Sequence, residues 1–364
     1  RRLPGTGKLT ATPTVCDICF WKCAGTVHVE DGLPWKVVGN DADPHSTGRL
    51  CTRGTGGLGA YEDRDRLRQP LLRVQRNGKQ TFKPVSWEEA FGFIAGKMQS
   101  IAENHGRDRL ALLAHGSGGS HFERLLKAYG SHAYAHTSFA QCRGPREVAF
   151  GLTYGEGVGS PDRTDMEHSR CVVLVGSHIG ENLHNGQVQT LIDAINQDAT
   201  LITVDPRFSV AASKSKYWLP IKPGTDIALL LAWINVLINE GLYDRDYVAR
   251  YTVGIEQLTQ HVQPFNPEWA YLETGLDPKL IRDTAHAMAA SAPATLVPPG
   301  RHVTLYWDDT QRERAFAILN ALLGSWGSKG GFYIQEKVDL PAYPVTQPAK
   351  PETDWKAVVQ PEFP

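Results

Sequence analysis

Four cysteines constrain this chain more than any other feature of its sequence. Cys16-x2-Cys19-x3-Cys23 puts three thiols within eight residues, and Cys51 follows 28 positions beyond the third. Three thiolates on one tight loop can face a common centre. A fourth from a distant segment closes the site and staples a small domain. Iron–sulfur clusters need four thiolates in this sort of arrangement. Structural zinc is the alternative, although zinc usually takes two short Cys-x2-Cys pairs, whereas here a triplet meets a single residue. Six cysteines in 364 residues do not make a disulfide scaffold, and their uneven placement reads as metal ligation. Of the remaining two, Cys171 opens an apolar run and reads as a small core residue. Cys142, taken alone, reads as a buried structural thiol.

Beyond the cysteines the pattern is that of an α/β protein. Residues 1–75 are rich in Gly and turn residues, with short strand-like runs at Thr26–Glu30 and Trp35–Val38. Ser86 and Glu89 form a capping box that opens a helix over Trp87–His105, and Gly106 ends it. Leu110–Ala114 reads as a buried strand, followed by a glycine loop and a helix near Phe122–Tyr129. The order recurs. Strands are expected at Cys171–Val175, Leu201–Val204, Trp218–Ile221 and Thr295–Val297. Helices are expected near Gln187–Asn196, Ile227–Glu240, Asp244–Tyr251, Pro278–Ala290 and Gln311–Leu323. Alternation of this kind implies Rossmann-like parallel sheets with covered faces, which bind ligands at the carboxyl ends of their strands.

Composition bounds the rest. Hydrophobic content of 41% and charge of 21% are ordinary for a globular chain, and the length suggests two or three domains. A net charge of -1 gives no basic field for nucleic acid. No apolar run approaches the roughly 20 residues of a membrane span. The first residue is Arg1, so no signal peptide can be read directly.

The stretch Cys16-Asp-Ile-Cys19-Phe-Trp-Lys-Cys23, then Gly39-Asn40, then Gly48-Arg49-Leu50-Cys51-Thr52-Arg53-Gly54 resembles the opening of the dimethyl sulfoxide reductase superfamily of molybdopterin oxidoreductases. Within it the sequence is most similar to polysulfide and thiosulfate reductase catalytic subunits, with respiratory arsenate reductases close by. The resemblance implies a 4Fe-4S cluster on Cys16, Cys19, Cys23 and Cys51, and a molybdenum or tungsten bis(molybdopterin guanine dinucleotide). Arg53 stands where many relatives have a Lys between cluster and pterin; the charge is kept but not the compact ammonium. Cys142 stands where the family places the metal's protein ligand, and Arg143 and Arg146 nearby would favour its thiolate.

Loops after strands are the candidates for the guanosine ends. They are Gly176-Ser177-His178 with Glu181, Asn182 and Asn185; Asp205-Pro206-Arg207; and Pro223-Gly224-Thr225-Asp226. Singly, each could be a plain turn or helix cap; it is their order that resembles the family. None matches Gly-x-Gly-x-x-Gly, so a nicotinamide site is not supported. Pro299-Gly300-Arg301-His302, with Tyr306, Asp309 and Gln311, resembles a segment that brings an arginine to the metal in polysulfide and thiosulfate reductases. Arg301 is therefore expected to meet an anionic substrate and His302 to donate a proton, with Tyr134 and His136 as pocket candidates.

The expected domains are 1–75 for the cluster, 76–160 resuming at 293–335 for the metal-ligand loop, 161–292 for guanosine binding, and 336–364 as an extended linker or arm. Family catalytic subunits are roughly twice this length, so the chain is expected to be a fragment or split subunit, with the missing C-terminal half a possible partner. The resemblance further implies an iron–sulfur electron-transfer subunit, a membrane quinone-interacting subunit, export in folded form and a periplasmic location. Respiratory arsenate reductase, formate dehydrogenase, nitrate reductase and a non-catalytic electron-transfer relative stand as alternatives.

Overall fold

Two glycines set the course of the first 58 residues. In the computed structural model, which describes residues 5–19, 21–116, 118–137, 143–159, 164–177, 179–180, 185–299 and 309–333, strands β1 (Leu9–Val15), β2 (Ala24–Glu30) and β3 (Leu33–Gly39) form an antiparallel meander in that order. Gly39 ends β3 against the main chain of Gly48. A Cβ at residue 39 would lie 2.1 Å from the Gly48 carbonyl oxygen, so only glycine permits the approach. The returning segment carries Cys51 to the helical turn α1 (Thr52–Thr55). Asp43 latches this segment: its carboxylate accepts the amides of Ala24 at 2.9 Å, His45 at 3.0 Å and Ser46 at 3.3 Å, and the Ser46 hydroxyl.

The chain divides into two compact units, Arg1–Leu58 with Phe139–Lys337, and Gly59–Ser138 with Val338–Pro364. The break after residue 58 comes earlier than the boundary expected at 75, because β4 (Leu71–Arg76) pairs with β5 (Lys79–Pro84) in the second unit. That unit begins around α2 (Leu58–Glu62). Asn77 and Gly78, with φ of 52° and 72°, turn β4 into β5, an Asn-Gly hairpin signal. Helix α3 (Trp87–His105) has the expected bounds. Ser86 Oγ accepts the Glu89 amide at 3.1 Å, and Glu89 Oε2 accepts the Ser86 amide at 2.8 Å. Strand β6 (Leu112–Ala114), helix α4 (Gly119–Tyr129) and strand β7 (Tyr134–His136) complete the unit, with β6 and β7 parallel. The run expected as a buried strand here is not buried: Leu113 is 71% exposed. Its apolar composition could not show that, among the described residues, its one strand partner is the short β7.

In the first unit α5 (Gly144–Tyr154) leads to the main sheet. The strands are β8 (Cys171–Val175), β9 (Thr200–Val204), β10 (Tyr217–Leu219) and β11 (Thr295–Leu296), all parallel, in the order β10-β9-β8-β11. Helix α6 (Asn185–Asn196) joins β8 to β9. Helices α7 (Asp226–Asn239), α8 (Arg245–Tyr251), α9 (Ile255–Val262), α10 (Pro267–Thr274) and α11 (Pro278–Ser291) lie between β10 and β11, and α12 (Asp309–Leu322) follows. Every residue of β8 is buried, as a strand covered on both faces requires. Ten residues of α7 are buried; at its centre Trp233 donates to Thr284 Oγ1 at 2.9 Å. Among the described residues no helix is long and apolar enough to cross a membrane.

The free edge of β11 is covered by side chains. Asn320 accepts the Val297 amide at 3.3 Å and donates to the Val297 carbonyl at 2.8 Å, while Ser325 donates to the Thr295 carbonyl. Consecutive strands step in one direction through β8, β9 and β10, and β11 then falls on the other side of β8. The strand order therefore reverses between β8 and β11, and their carboxyl ends flank the crevice where open α/β sheets bind ligands.

Candidate functional site

The N-terminal meander delivers four thiols to one cavity, lined by Cys16, Ile18, Cys19, Trp21, Cys23, Leu50, Cys51, Arg53 and Gly54. The Cys16 amide bonds the Cys23 carbonyl at 2.8 Å and closes the loop that carries three of them. All four are free thiols. Burial pushes the Cys23 thiol up, and the neighbouring Cys19, Cys16, Asp43 and Cys51 push the same way. Burial also opposes ionisation of Cys51. There the main-chain N–H groups of Gly54 and Arg53 and the Arg53 guanidinium outweigh it, and the thiol lies below its ordinary range. Cys51 occupies the N-cap position of α1, so these amides are ones a helix start leaves unpaired. A Cβ on Gly54 would stand 3.5 Å from Cys16 Sγ, in ordinary van der Waals contact, so Gly54 lies directly beside that thiol. Four sulfur donors crowded into one cage, with main-chain amides beside Cys51 and the Arg53 cation at the wall, fit an iron–sulfur centre, which needs four such donors.

Sequence reasoning found the ligand candidates and Arg53, which lines the cavity. It missed the wall residues Trp21 and Ile18 and the latch at Asp43. Burial raises the Asp43 carboxyl, but the Ser46 hydroxyl and the amides of Ala24, His45 and Ser46 hold it at about 2. An Asp-Pro-His-Ser turn was the available signal. Trp21 is 5% exposed and stacks on His45, 5.0 Å between centroids and 12° between planes.

The second set of candidates gathers at the carboxyl edge of the main sheet. Gly176, with φ +58°, turns out of β8, and its amide bonds the Val204 carbonyl at 2.9 Å. Ser177 follows, and Asn185 opens α6. At the end of β9, Asp205 Oδ1 accepts the Arg207 amide at 2.8 Å. Gly224, with φ +83°, precedes α7, whose first residue is Asp226. Asp226 has a protein partner as well: Arg312 Nη1 lies 3.9 Å from Oδ2, and burial, only partly offset by Arg312, raises its carboxyl. The same arginine reaches Glu313 at 3.1 Å and Asp309 at 3.8 Å, so Asp309 belongs to an ionic cluster that ties the starts of α7 and α12 together. Gln311 accepts from Arg314 at 3.0 Å.

Tyr134 and His136 lie on β7, where His136 faces Glu123 at 3.7 Å. Arg143 is exposed at the start of α5. Arg146, 1% exposed, donates to the Gly159 carbonyl at 2.7 Å. Cys171 is the core residue expected, its thiol pushed up to about 12 by burial. Cys142, His178, Glu181, Asn182, Arg301, His302 and Tyr306 lie outside the described residues, as does the expected linker 336–364.

Comparison with known proteins decides the family. Residues 66–337 match the molybdopterin oxidoreductase family, and residues 9–61 match the molybdopterin oxidoreductase Fe4S4 domain. This chain belongs to the molybdopterin oxidoreductases. The matched domains are those of a 4Fe-4S cluster and a molybdenum–pterin cofactor, and the four-thiol cavity lies inside the first. The chain is similar to the molybdopterin-containing subunit of thiosulfate reductase from Salmonella typhimurium, 32% identical over 92% of this chain and 44% of that protein. It is also similar to the molybdopterin-containing subunit of arsenate respiratory reductase from Shewanella sp., 29% identical over 93% of this chain and 43% of that one. Acetylene hydratase from Pelobacter acetylenicus shares the fold with a TM-score of 0.74 at 27% identity, covering 86% of this chain and 43% of that chain. The chain spans less than half the length of each of these three proteins.

Proposed function

We propose that the protein is the catalytic subunit of a molybdenum or tungsten bis-pterin oxidoreductase that passes electrons between a 4Fe-4S cluster and a sulfur-type anion such as polysulfide, thiosulfate or tetrathionate. The observation that carries this reading is the joining, in one compact unit, of a four-thiol cavity and a parallel sheet with its crevice at the β8–β11 reversal. The similarity to the thiosulfate reductase subunit favours the sulfur substrate. When bound, the cluster supplies one-electron steps and the pterin-held metal the two-electron change.

The chain's own residues have separate tasks in this proposal. Cys16, Cys19, Cys23 and Cys51 hold the cluster, and the amides of Arg53 and Gly54 with the Arg53 guanidinium favour the Cys51 thiolate. Cys142 is the thiolate ligand to the metal. The β8–α6 loop with Gly176, Ser177, Glu181, Asn182 and Asn185, the Asp205–Arg207 turn, and Gly224 with Asp226 hold a guanosine end. Arg301 offers a fixed cation to an anionic substrate, and His302 a proton.

The reading includes an iron–sulfur subunit and a membrane quinone-interacting subunit as partners, and a periplasmic location. The thiosulfate reductase and arsenate reductase relatives are themselves subunits, which supports the multi-chain reading. The test is metal analysis of the anaerobically purified protein, followed by a screen of acceptors with reduced viologen. Iron together with molybdenum or tungsten, and oxidation of the dye by a sulfur anion, is the expected result. Iron alone would make the chain a non-catalytic relative. Turnover with arsenate or nitrate and no sulfur acceptor would move it to another branch.

A further inference from the structure

The cluster cavity has an aromatic wall whose support comes from outside it. Trp21 stands between Cys19 and Cys23 in sequence, lines the cavity and is almost fully buried. The ring laid flat on it belongs to another segment: His45 lies nearly parallel to the indole, 5.0 Å away between centroids. His45 is itself exposed. An imidazole facing solvent and stacked on a buried indole acts as a cover for that indole.

Main-chain bonds hold the cover in place. Asp43 Oδ1 accepts the His45 amide at 3.0 Å, and Oδ2 accepts the amide of Ala24, the residue after Cys23, at 2.9 Å. One carboxylate thus ties the His45 turn to the neighbour of a cluster ligand. The same histidine also meets α6. A Cβ at Gly186 would lie 2.8 Å from the His45 carbonyl oxygen and 3.4 Å from Cε1. The carbonyl is main chain and cannot swing aside as a side-chain tip can. Gly186 is buried in the first turn of α6, a place where glycine weakens a helix relative to alanine. The close approach of His45 is what the glycine accommodates. Both segments belong to one compact unit.

We propose that His45 is a positioning residue for the 4Fe-4S cluster: it pins the Trp21 indole over the cage, and Gly186 seats this stacked pair against α6. The indole keeps water from the cage, and solvent exposure is one of the factors that set an iron–sulfur potential. Groups outside the ligand set commonly tune a metal centre in this way, through orientation and solvent access. The seat links the cage to the helix that leaves the β8 loop, so a change on α6 reaches the cluster. The inference rests on the cluster assignment and not on the choice of substrate.

The test is redox titration of the full chain, purified anaerobically, with paramagnetic resonance detection of the reduced cluster and a chelator challenge of its iron. His45→Ala uncovers the outer face of the indole. The midpoint potential should rise, because water favours the reduced and more negatively charged cluster. Iron should leave about tenfold faster, the low end of what losing a supporting group costs a metal site. His45→Phe keeps a flat ring on the indole and should match the parent in both readouts. Gly186→Ala lies far from the ligands in sequence, yet should move the potential in the same direction as His45→Ala. Gly151→Ala is the control: its added methyl meets nothing within 4 Å, and it should change neither readout. A role in folding alone would lower the melting temperature and leave the potential unmoved. If His45→Ala keeps the parent's potential and iron, or His45→Phe fails as His45→Ala does, the clamp is overturned while the cluster stands. An unmoved potential in Gly186→Ala would overturn the seat. If the parent holds no cluster, that assignment falls and the clamp with it.

Discussion

At the scale of single residues, backbone clearance and local hydrogen bonding decide where the four thiols end up. The Gly39–Gly48 approach is the tightest constraint, because a methyl group at residue 39 would overlap a carbonyl that cannot move without taking the Cys51 segment along. Gly39→Ala should therefore cost about 1–3 kcal/mol as an overpacking change and lower the iron bound per chain; parent-level iron would show that the segment yields freely. Asp43 gives a pH-dependent prediction. Its carboxyl is held at about 2, below its unfolded value near 3.9, so the folded state favours the ionised form. Its contribution is complete above about pH 5 and fades as pH falls through 4 towards 2. Partial solvent screening limits it to the order of 1 kcal/mol. Denaturation of the parent and of Asp43→Asn should differ by a constant amount near neutrality and converge in acid; a gap that persists at pH 2 would remove the carboxylate from the account. The thiols themselves were legible, since their spacing alone demanded a common centre. Asp43 and Trp21 were not, because a latch and a ring stack depend on which segments fold back on each other, and spacing does not encode that.

At the scale of elements, the long signals were read well and the short ones poorly. Helix α3 was fixed at both ends by its own caps, and β8, β9 and α7 declared themselves as unbroken apolar runs. Strand β1, the β4–β5 hairpin and strand β7 went unread. The first and last lack a buried face, and the hairpin's Asn-Gly turn joins strands that are largely exposed. Asp226 shows the limit of motif reading: a residue assigned to nucleotide binding also has an ionic partner in Arg312, nearly ninety positions away. The edge of β11 carries a further prediction. Asn320→Leu would leave the Val297 N–H and C=O without their partner and should destabilise the chain by about 2–4 kcal/mol, seen as a lower denaturant midpoint at unchanged slope. An unchanged midpoint would mean that Ser325 and its neighbours close the edge unaided.

At the scale of the whole molecule, burial is distributed unevenly. The large apolar cluster, from Phe150 through Trp233 to Phe332, belongs entirely to the first unit. In the second unit, among the described residues, Val85 and Leu126 are the buried large hydrophobics, and α3 buries none of its nineteen residues. Stability should follow burial. Hydrogen exchange read by mass spectrometry should show amides of 87–129 exchanging well before those of 171–175 and 226–239; equal protection would refute the difference. Sequence could not anticipate this contrast, because Trp87, Phe91 and Ile94 look like core residues until the space around them is known. The plugged side of β11 constrains assembly. With Asn320 and Ser325 occupying the main-chain groups that a neighbour would need, that margin cannot recruit another β-segment by augmentation or edge-to-edge aggregation. Any enlargement of the sheet, by more of the same polypeptide or by another molecule, has to proceed from β10.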